Sequence, residues 1–248
     1  MRRVPEGQGL LALSSQLHLA SEGAADTNHP MKAIREKVEL PEGHSFRVLR
    51  WSKTLRDVEC ILGPGRTQPV QGEGNHWHFH KEMELTLFTG GEGTRFVGDA
   101  IGTFAAGDLV LLGERLPHHW HTSGASGGLS IQWHFPESHP VWAFPENLEL
   151  RDLFKRAERG LHLRGRTATA IAALMQDVAR SKGAGQLAAL LRLLAEVADA
   201  PESDLALLSS RSFTLSAESH YQKAISKSVQ HLVANFRDEI RLEDLLKI

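Results

Sequence analysis

Residues 72–91 read GEGNHWHFHKEMELTLFTGG, a run that sets three histidines two residues apart and then passes into an apolar strand pattern. In extended backbone, residues two apart project from the same face. His76, His78 and His80 are therefore expected on one side, and Glu84 shares their parity if the strand is unbroken. Three neutral imidazoles and one carboxylate form a donor set for a divalent Fe, Mn, Ni, Co or Zn ion, with coordination positions left open. A second cluster, His118, His119 and His121, holds a further three of the 14 histidines. His118 is the candidate third imidazole. His119 and His121, of opposite parity to His118, are expected on the outer face or the rim. Trp77, Trp120 and Trp133 flank the clusters, and Trp133, beside Gln132 and His134, is a candidate wall of a ligand pocket.

On both sides of this run the pattern is β. Short apolar or alternating segments recur at 46–51, 58–62, 77–80, 85–88, 95–97, 109–112, 118–121 and 129–135. Glycine-rich turns separate them: GPG at 63–65, GEG at 72–74, GGEG at 90–93, AGD at 106–108 and SGASGG at 123–128. Many short strands joined by such turns read as a sandwich or small barrel. Leu109–Leu112 is apolar on both faces, as a strand packed between two layers would be.

Beyond PESHPVWAFPE at 136–146 the spacing becomes helical, over 148–157, 167–179 and 186–198. The last segment repeats leucine at 187, 190, 191 and 194, the i, i+3, i+4, i+7 pattern of an amphipathic helix. Leu190 and Leu194 fit a dimer contact or burial within the monomer equally well. Residues 201–218, rich in Ser, Asp and Glu, read as a linker. A final helix is expected over 219–236, with Ile225, Val229, Leu232, Val233 and Phe236 as its stripe, followed by another helical start at 242–246.

Composition narrows the class of function. The chain has 248 residues, 41% of them hydrophobic and 23% charged, which is globular. A net charge of -2 means that nucleic-acid contact would need a local basic surface. One cysteine, Cys60, forms neither an internal disulfide nor a thiolate cage, which suits a reducing, cytoplasmic setting. No run approaches the ~20 apolar residues of a membrane span. Residues 1–30 read as a disordered N-terminal extension, and Met31 as an alternative start.

The spacing is more specific than the counts. Gly72, five residues, His78, one residue, His80, three residues, Glu84, six residues and Gly91 resemble the first cupin motif without a miss. The second motif is partly kept: AAGDLVLLGERLPH, at 105–118, has Gly107 and His118 in place. Gly113 stands where that motif has proline, Arg115 where it has glycine and Thr122 where it has asparagine. The resemblance implies a cupin-like β-barrel (a double-stranded β-helix) over 31–145. The implied pocket is formed by His76, His78, His80, Glu84, His118 and Trp133, and a metal would fall to His78, His80, Glu84 and His118. A helical connector or dimerisation region follows over 146–200.

The segment QKAISKSVQHLVANFRDEIRLEDLL resembles the opening of the helix-turn-helix region of AraC-type bacterial transcriptional regulators, with Phe236, Ile240, Leu242 and Leu245 at matching places. The order of cupin-like domain, connector, linker and this helix is similar to the domain order of that family. The resemblance implies an effector-responsive regulator: a small molecule in the barrel, a homodimer, promoter DNA as partner and no catalysis. Residues 219–248 would be the truncated start of the DNA-binding domain, with neither recognition helix, so the 248-residue chain is not expected to bind DNA specifically. The alternative is a metal-dependent cupin enzyme, a dioxygenase or isomerase, which the intact first motif favours.

Overall fold

A computed structural model describes residues 34–72, 74, 76–213, 228, 231–232, 235–236, 238–241 and 243–244. The expected extension over 1–30 lies outside the described residues, as does most of the final helix and of the helical start after it. Of that final helix, Ser228, His231, Leu232 and Asn235 are described and helical, and Phe236 is described in a turn.

Among the described residues thirteen strands form two sheets. The five-stranded sheet runs β1-β5-β10-β7-β8 and the eight-stranded sheet runs β13-β12-β9-β6-β11-β2-β3-β4. In chain order the first six strands are β1 (Ile34–Arg35), β2 (Phe46–Trp51), β3 (Asp57–Gly63), β4 (Arg66–Gln71), β5 (His78–Phe79) and β6 (Met83–Gly90). The next five are β7 (Gly93–Val97), β8 (Ala100–Phe104), β9 (Leu109–Leu112), β10 (His118–Thr122) and β11 (Gly127–Trp133). Two short strands, β12 (Leu161–Leu163) and β13 (Leu205–Leu207), lie among the helices α1 (Leu150–Ala157), α2 (Gly165–Arg180) and α3 (Gly183–Ala198).

The two sheets pack face to face, and among the described residues no strand of one pairs with a strand of the other, so the expected cupin-like β fold is present as two facing sheets that do not close through a ladder. Period-two alternation explains the layering. On β6, Met83, Leu85 and Leu87 point to the helices, while Glu84, Thr86 and Phe88 point between the sheets. On β11, Leu129, Ile131 and Trp133 face the helices and Ser130 and Gln132 face inward. β9 is buried on both faces: Leu109 and Leu111 join the helix-side core, Val110 and Leu112 the core between the sheets. Its apolar character on both faces is thus that of a strand between two layers.

The three helices close the outer face of the eight-stranded sheet. Leu190 and Leu194 on α3 are fully buried in the same core as Ile171 and Val178 of α2. Burial within the monomer therefore accounts for those leucines, and they offer no dimer contact. The stretch read as a linker is also folded in its first half, because β13 pairs with β12 and β12 with β9. Farther on, Phe236 packs edge-on against Phe96, with ring centroids 5.4 Å apart, and against His121 at 5.9 Å. No helix among the described residues is long and apolar enough to cross a membrane.

Candidate metal and ligand pocket

Three histidines converge between the sheets. His78 opens β5, His80 lies one residue beyond its end, and His118 opens β10 directly opposite His78 in the antiparallel register. Their ring centroids are 4.2 Å apart for His78 and His118, 5.1 Å for His80 and His118, and 5.7 Å for His78 and His80. Each offers a ligating atom within 4.8 Å of the others, and all three are buried, at 1–2% exposure. Glu84, on β6 of the other sheet, closes the group: its Oε2 lies 3.1 Å from His80 Nε2 and 4.0 Å from His118 Nε2.

The backbone fixes the ring orientations. His78 Nδ1 donates to the carbonyl of His76 at 2.8 Å, His80 Nδ1 to that of Glu82 at 2.9 Å, and His118 Nδ1 to that of Leu116 at 2.8 Å. A carbonyl only accepts, so each Nδ1 carries its proton and each Nε2 is left with a lone pair when the ring is neutral. Metal-ligating histidines are oriented by this kind of bond. The Nε2 of His118 is buried and has no hydrogen-bond partner. Three lone pairs and a carboxylate turned on one enclosed point fit a divalent cation.

The titration behaviour follows from this crowding. Burial, and then the neighbouring His78, hold His118 well below the usual imidazole range. Burial also lowers His78, with His80 adding to the effect. For His80, burial is outweighed by the hydrogen bond and charge of Glu84, and its pKa is raised. Burial of Glu84 is outweighed in turn by the His80 bond and by the charges of His118 and His80, so its carboxyl lies well below the ordinary range.

Residues the sequence did not single out complete the pocket. Gln132 Nε2 donates to Glu84 Oε2 at 2.5 Å, and Thr86 Oγ1 donates to Glu84 Oε1. Arg47 on β2 donates from Nε to Gln132 Oε1 at 2.5 Å and from Nη2 to Glu36 Oε1 at 2.7 Å. Glu36 Oε2 lies 3.4 Å from His78 Nε2. A cavity of about 50 Å³ opens beside this network, and its walls combine the polar Arg47, Glu84 and His78 with the apolar Leu49, Phe88 and Trp120. The signal for Arg47 was its parity: in FRVLRW it shares the inward face with Leu49 and Trp51, and a charge on such a face calls for a buried partner.

Two expected pocket residues stand elsewhere. His76 is half-buried outside the ring cluster and contributes its carbonyl, because β5 spans only two residues and the alternation does not reach back to it. Trp133 faces the helix-side core, 6.1 Å from Phe154 between ring centroids, because Gln132 next to it takes the inward face. His119 turns away from the cluster and stacks on Phe96 at 5.6 Å, and burial lowers its pKa to about 4. His121 is exposed on the same outer side.

No protein-family model and no curated protein matches the chain. Among solved structures, it is similar to the AraC-like transcriptional activator CuxR, with 12% identity, 84% of this chain and 73% of that chain covered, and a TM-score of 0.37. It is also similar to ToxT from Vibrio cholerae, with 12% identity, 82% and 70% covered, and a TM-score of 0.37. A cupin 2 conserved barrel domain protein from Salinispora arenicola is 21% identical, over 40% of this chain and 89% of that chain, with a TM-score of 0.23.

Proposed function

We propose that the chain is the effector-sensing part of a transcriptional regulator of AraC type, and that its sensing pocket is organised around a divalent metal ion held by His78, His80, His118 and Glu84. The observation that carries the pocket is the set of three Nδ1–carbonyl bonds, which turns three Nε2 atoms and one carboxylate onto a single buried point. Bound there, an Fe, Mn, Co, Ni or Zn ion supplies a Lewis-acid position for an effector oxygen. The protein's own residues hold the donor atoms in register: Gln132 and Thr86 fix both oxygens of Glu84, and Arg47 fixes Gln132.

Sensing is favoured over turnover by enclosure. The ligands are nearly inaccessible, and the adjoining cavity of about 50 Å³ holds a few waters, far below the several hundred Å³ of a preformed small-molecule site. The order of parts also supports a regulator, with the two-sheet domain and its helical layer followed by a segment that resembles the entry to a helix-turn-helix. The reading entails a small-molecule effector, promoter DNA and a homodimer as partners.

The test begins with the full chain purified without chelator, whose metal content should be one divalent ion per chain, lost in His118→Ala. A chain that takes up none of the five metals, or a His118→Ala variant that keeps its ion, would overturn the pocket. Deleting the coding sequence in the source organism should change a defined set of transcripts, and complementation with His118→Ala should fail to restore them. An unchanged transcript profile would overturn the regulator. A second reading, a metal-dependent dioxygenase or isomerase, draws on the same three-histidine, one-carboxylate set. Substrate-dependent O₂ uptake in excess of the iron present, absent from His118→Ala, would favour the dioxygenase.

A further inference from the structure

We infer that the pocket takes a small carboxylic acid with a branched or aromatic tail, and that Glu36 is the internal carboxylate it displaces. The inference rests on the sensing-pocket reading above and names the ligand class.

The cavity has two kinds of wall. Among its polar residues Arg47 is buried, 6% exposed, on a strand that pairs with β11 on one side and β3 on the other. A guanidinium so placed needs an anion. Glu36 provides it, with one oxygen 2.7 Å from Arg47 Nη2 and the other 3.4 Å from His78 Nε2. The apolar walls are largely aromatic: Leu49, Trp51, Leu55, Phe88 and Trp120. The indole N–H of Trp120 is a buried donor still lacking an acceptor. An anionic head on Arg47 and an apolar tail against these walls would match both kinds of lining.

The anchoring of the two partners is unequal. Arg47 sits within β2, opposite Gln132 of β11 in the ladder, and Gln132 accepts from its Nε. Glu36 follows β1, a two-residue strand at the edge of the smaller sheet, and the chain beyond it, from Lys37 to Ser45, is largely exposed. Its backbone is held there by the bond from Glu36 N–H to the Phe79 carbonyl, 2.9 Å. The carboxylate thus rides on a weakly held edge, whereas the guanidinium is fixed. With Glu36 in place the cavity of about 50 Å³ is too small for a branched or aromatic tail. The acid must take the room of Glu36 as well as its partner.

The test is calorimetric titration of the full chain, with and without zinc, using isovalerate and benzoate as probes and their neutral amides as controls. Glu36→Ala should bind the acids about tenfold or more tightly than the wild type, the worth of a freed charge-assisted hydrogen bond, and should ignore the amides. Glu36→Gln, which keeps the side-chain shape, should show the same preference with a smaller gain and serves if the alanine variant does not fold. Arg47→Gln should bind neither acid. Equal binding of acid and amide, or no binding of either acid by both Glu36 variants, would overturn the inference. Zinc content is measured on the same samples. Zinc held with acids ignored sinks the ligand class alone, whereas acids bound without zinc sinks the metal pocket alone.

Discussion

Arg115 carries a left-handed backbone, φ 59°, the one such non-glycine conformation among the described residues. It stands where the second cupin motif has glycine, so the loop keeps the backbone shape after losing the residue that makes it easy. Its N–H donates to the carbonyl of His80 at 2.8 Å, tying the β9–β10 loop to a candidate ligand. Gly113, where the motif has proline, is needed for a different reason: a Cβ there would lie 2.6 Å from the carbonyl oxygen of Ala157. Asp99, at the β7–β8 turn, accepts from Ser209 Oγ at 2.7 Å, from the Ser210 N–H at 2.8 Å and from Ser210 Oγ. Bonds from Ser210 and Ser209 hold its carboxyl at about 2, against 3.8 ordinarily. A carboxyl lowered on folding stabilises the fold above its unfolded pKa, and that contribution fades as pH falls through the folded value. Asp99→Asn should therefore cost about 1 kcal/mol at neutral pH, a modest figure because the site is exposed and solvent-screened. In urea melts at stepped pH, the gap between variant and wild type should close from pH ~4 to ~2. A gap that stays constant through that range would dismiss the charged bonds as its source.

Elements were legible in proportion to their length and polarity contrast. β2, β6, β10 and β11 carry a period-two signal, β9 an unbroken apolar one, and the same parity sorts His118 and Trp120 inward from His119 and His121 outward. β4, RTQPVQ, carries almost no buried residue and includes Pro69 at a sheet edge, so no alternation announced it. β12 and β13 are three residues each, too short for a period, and their sheet partners lie far off in sequence. Arg47 and Glu36 escaped for a related reason, since spacing within one strand says nothing of a partner on another. The leucine repeat of α3 specified a helix without saying which surface would cover it, and packing against α1 and α2 answers that. Changing Leu190 and Leu194 together to Glu would bury two charges among apolar side chains such as Ile171, Val178 and Leu193. The cost should exceed about 4 kcal/mol, comparable to the whole stability margin of a small domain. The variant is expected in the insoluble fraction. A soluble, folded monomer would instead show that α3 had been a subunit contact.

At the scale of the molecule, the pocket joins two layers. Its three imidazoles belong to the five-stranded sheet and the loop after β5, while Glu84, Gln132 and Arg47 belong to the eight-stranded sheet. The sheets share no ladder, so what holds them together is the apolar cluster around Trp51, Phe88 and Trp120, together with polar contacts such as Arg47–Glu36 and His80–Glu84. A divalent ion taking both imidazole and carboxylate would add a bond between layers. Metal present at about a thousand times its dissociation constant stabilises the folded state by about 4 kcal/mol whatever its position. A melting shift alone therefore does not reveal a clamp, but the distribution of protection does. On metal addition, amide exchange should slow in β5 and β10 and also in β6 and β11, because opening either sheet would then break the site. In Glu84→Gln the ion would be left to the imidazoles, and slowing should shrink to β5 and β10. If the wild type itself shows slowing confined to β5 and β10, the ion belongs to one sheet and adds no bond between the layers.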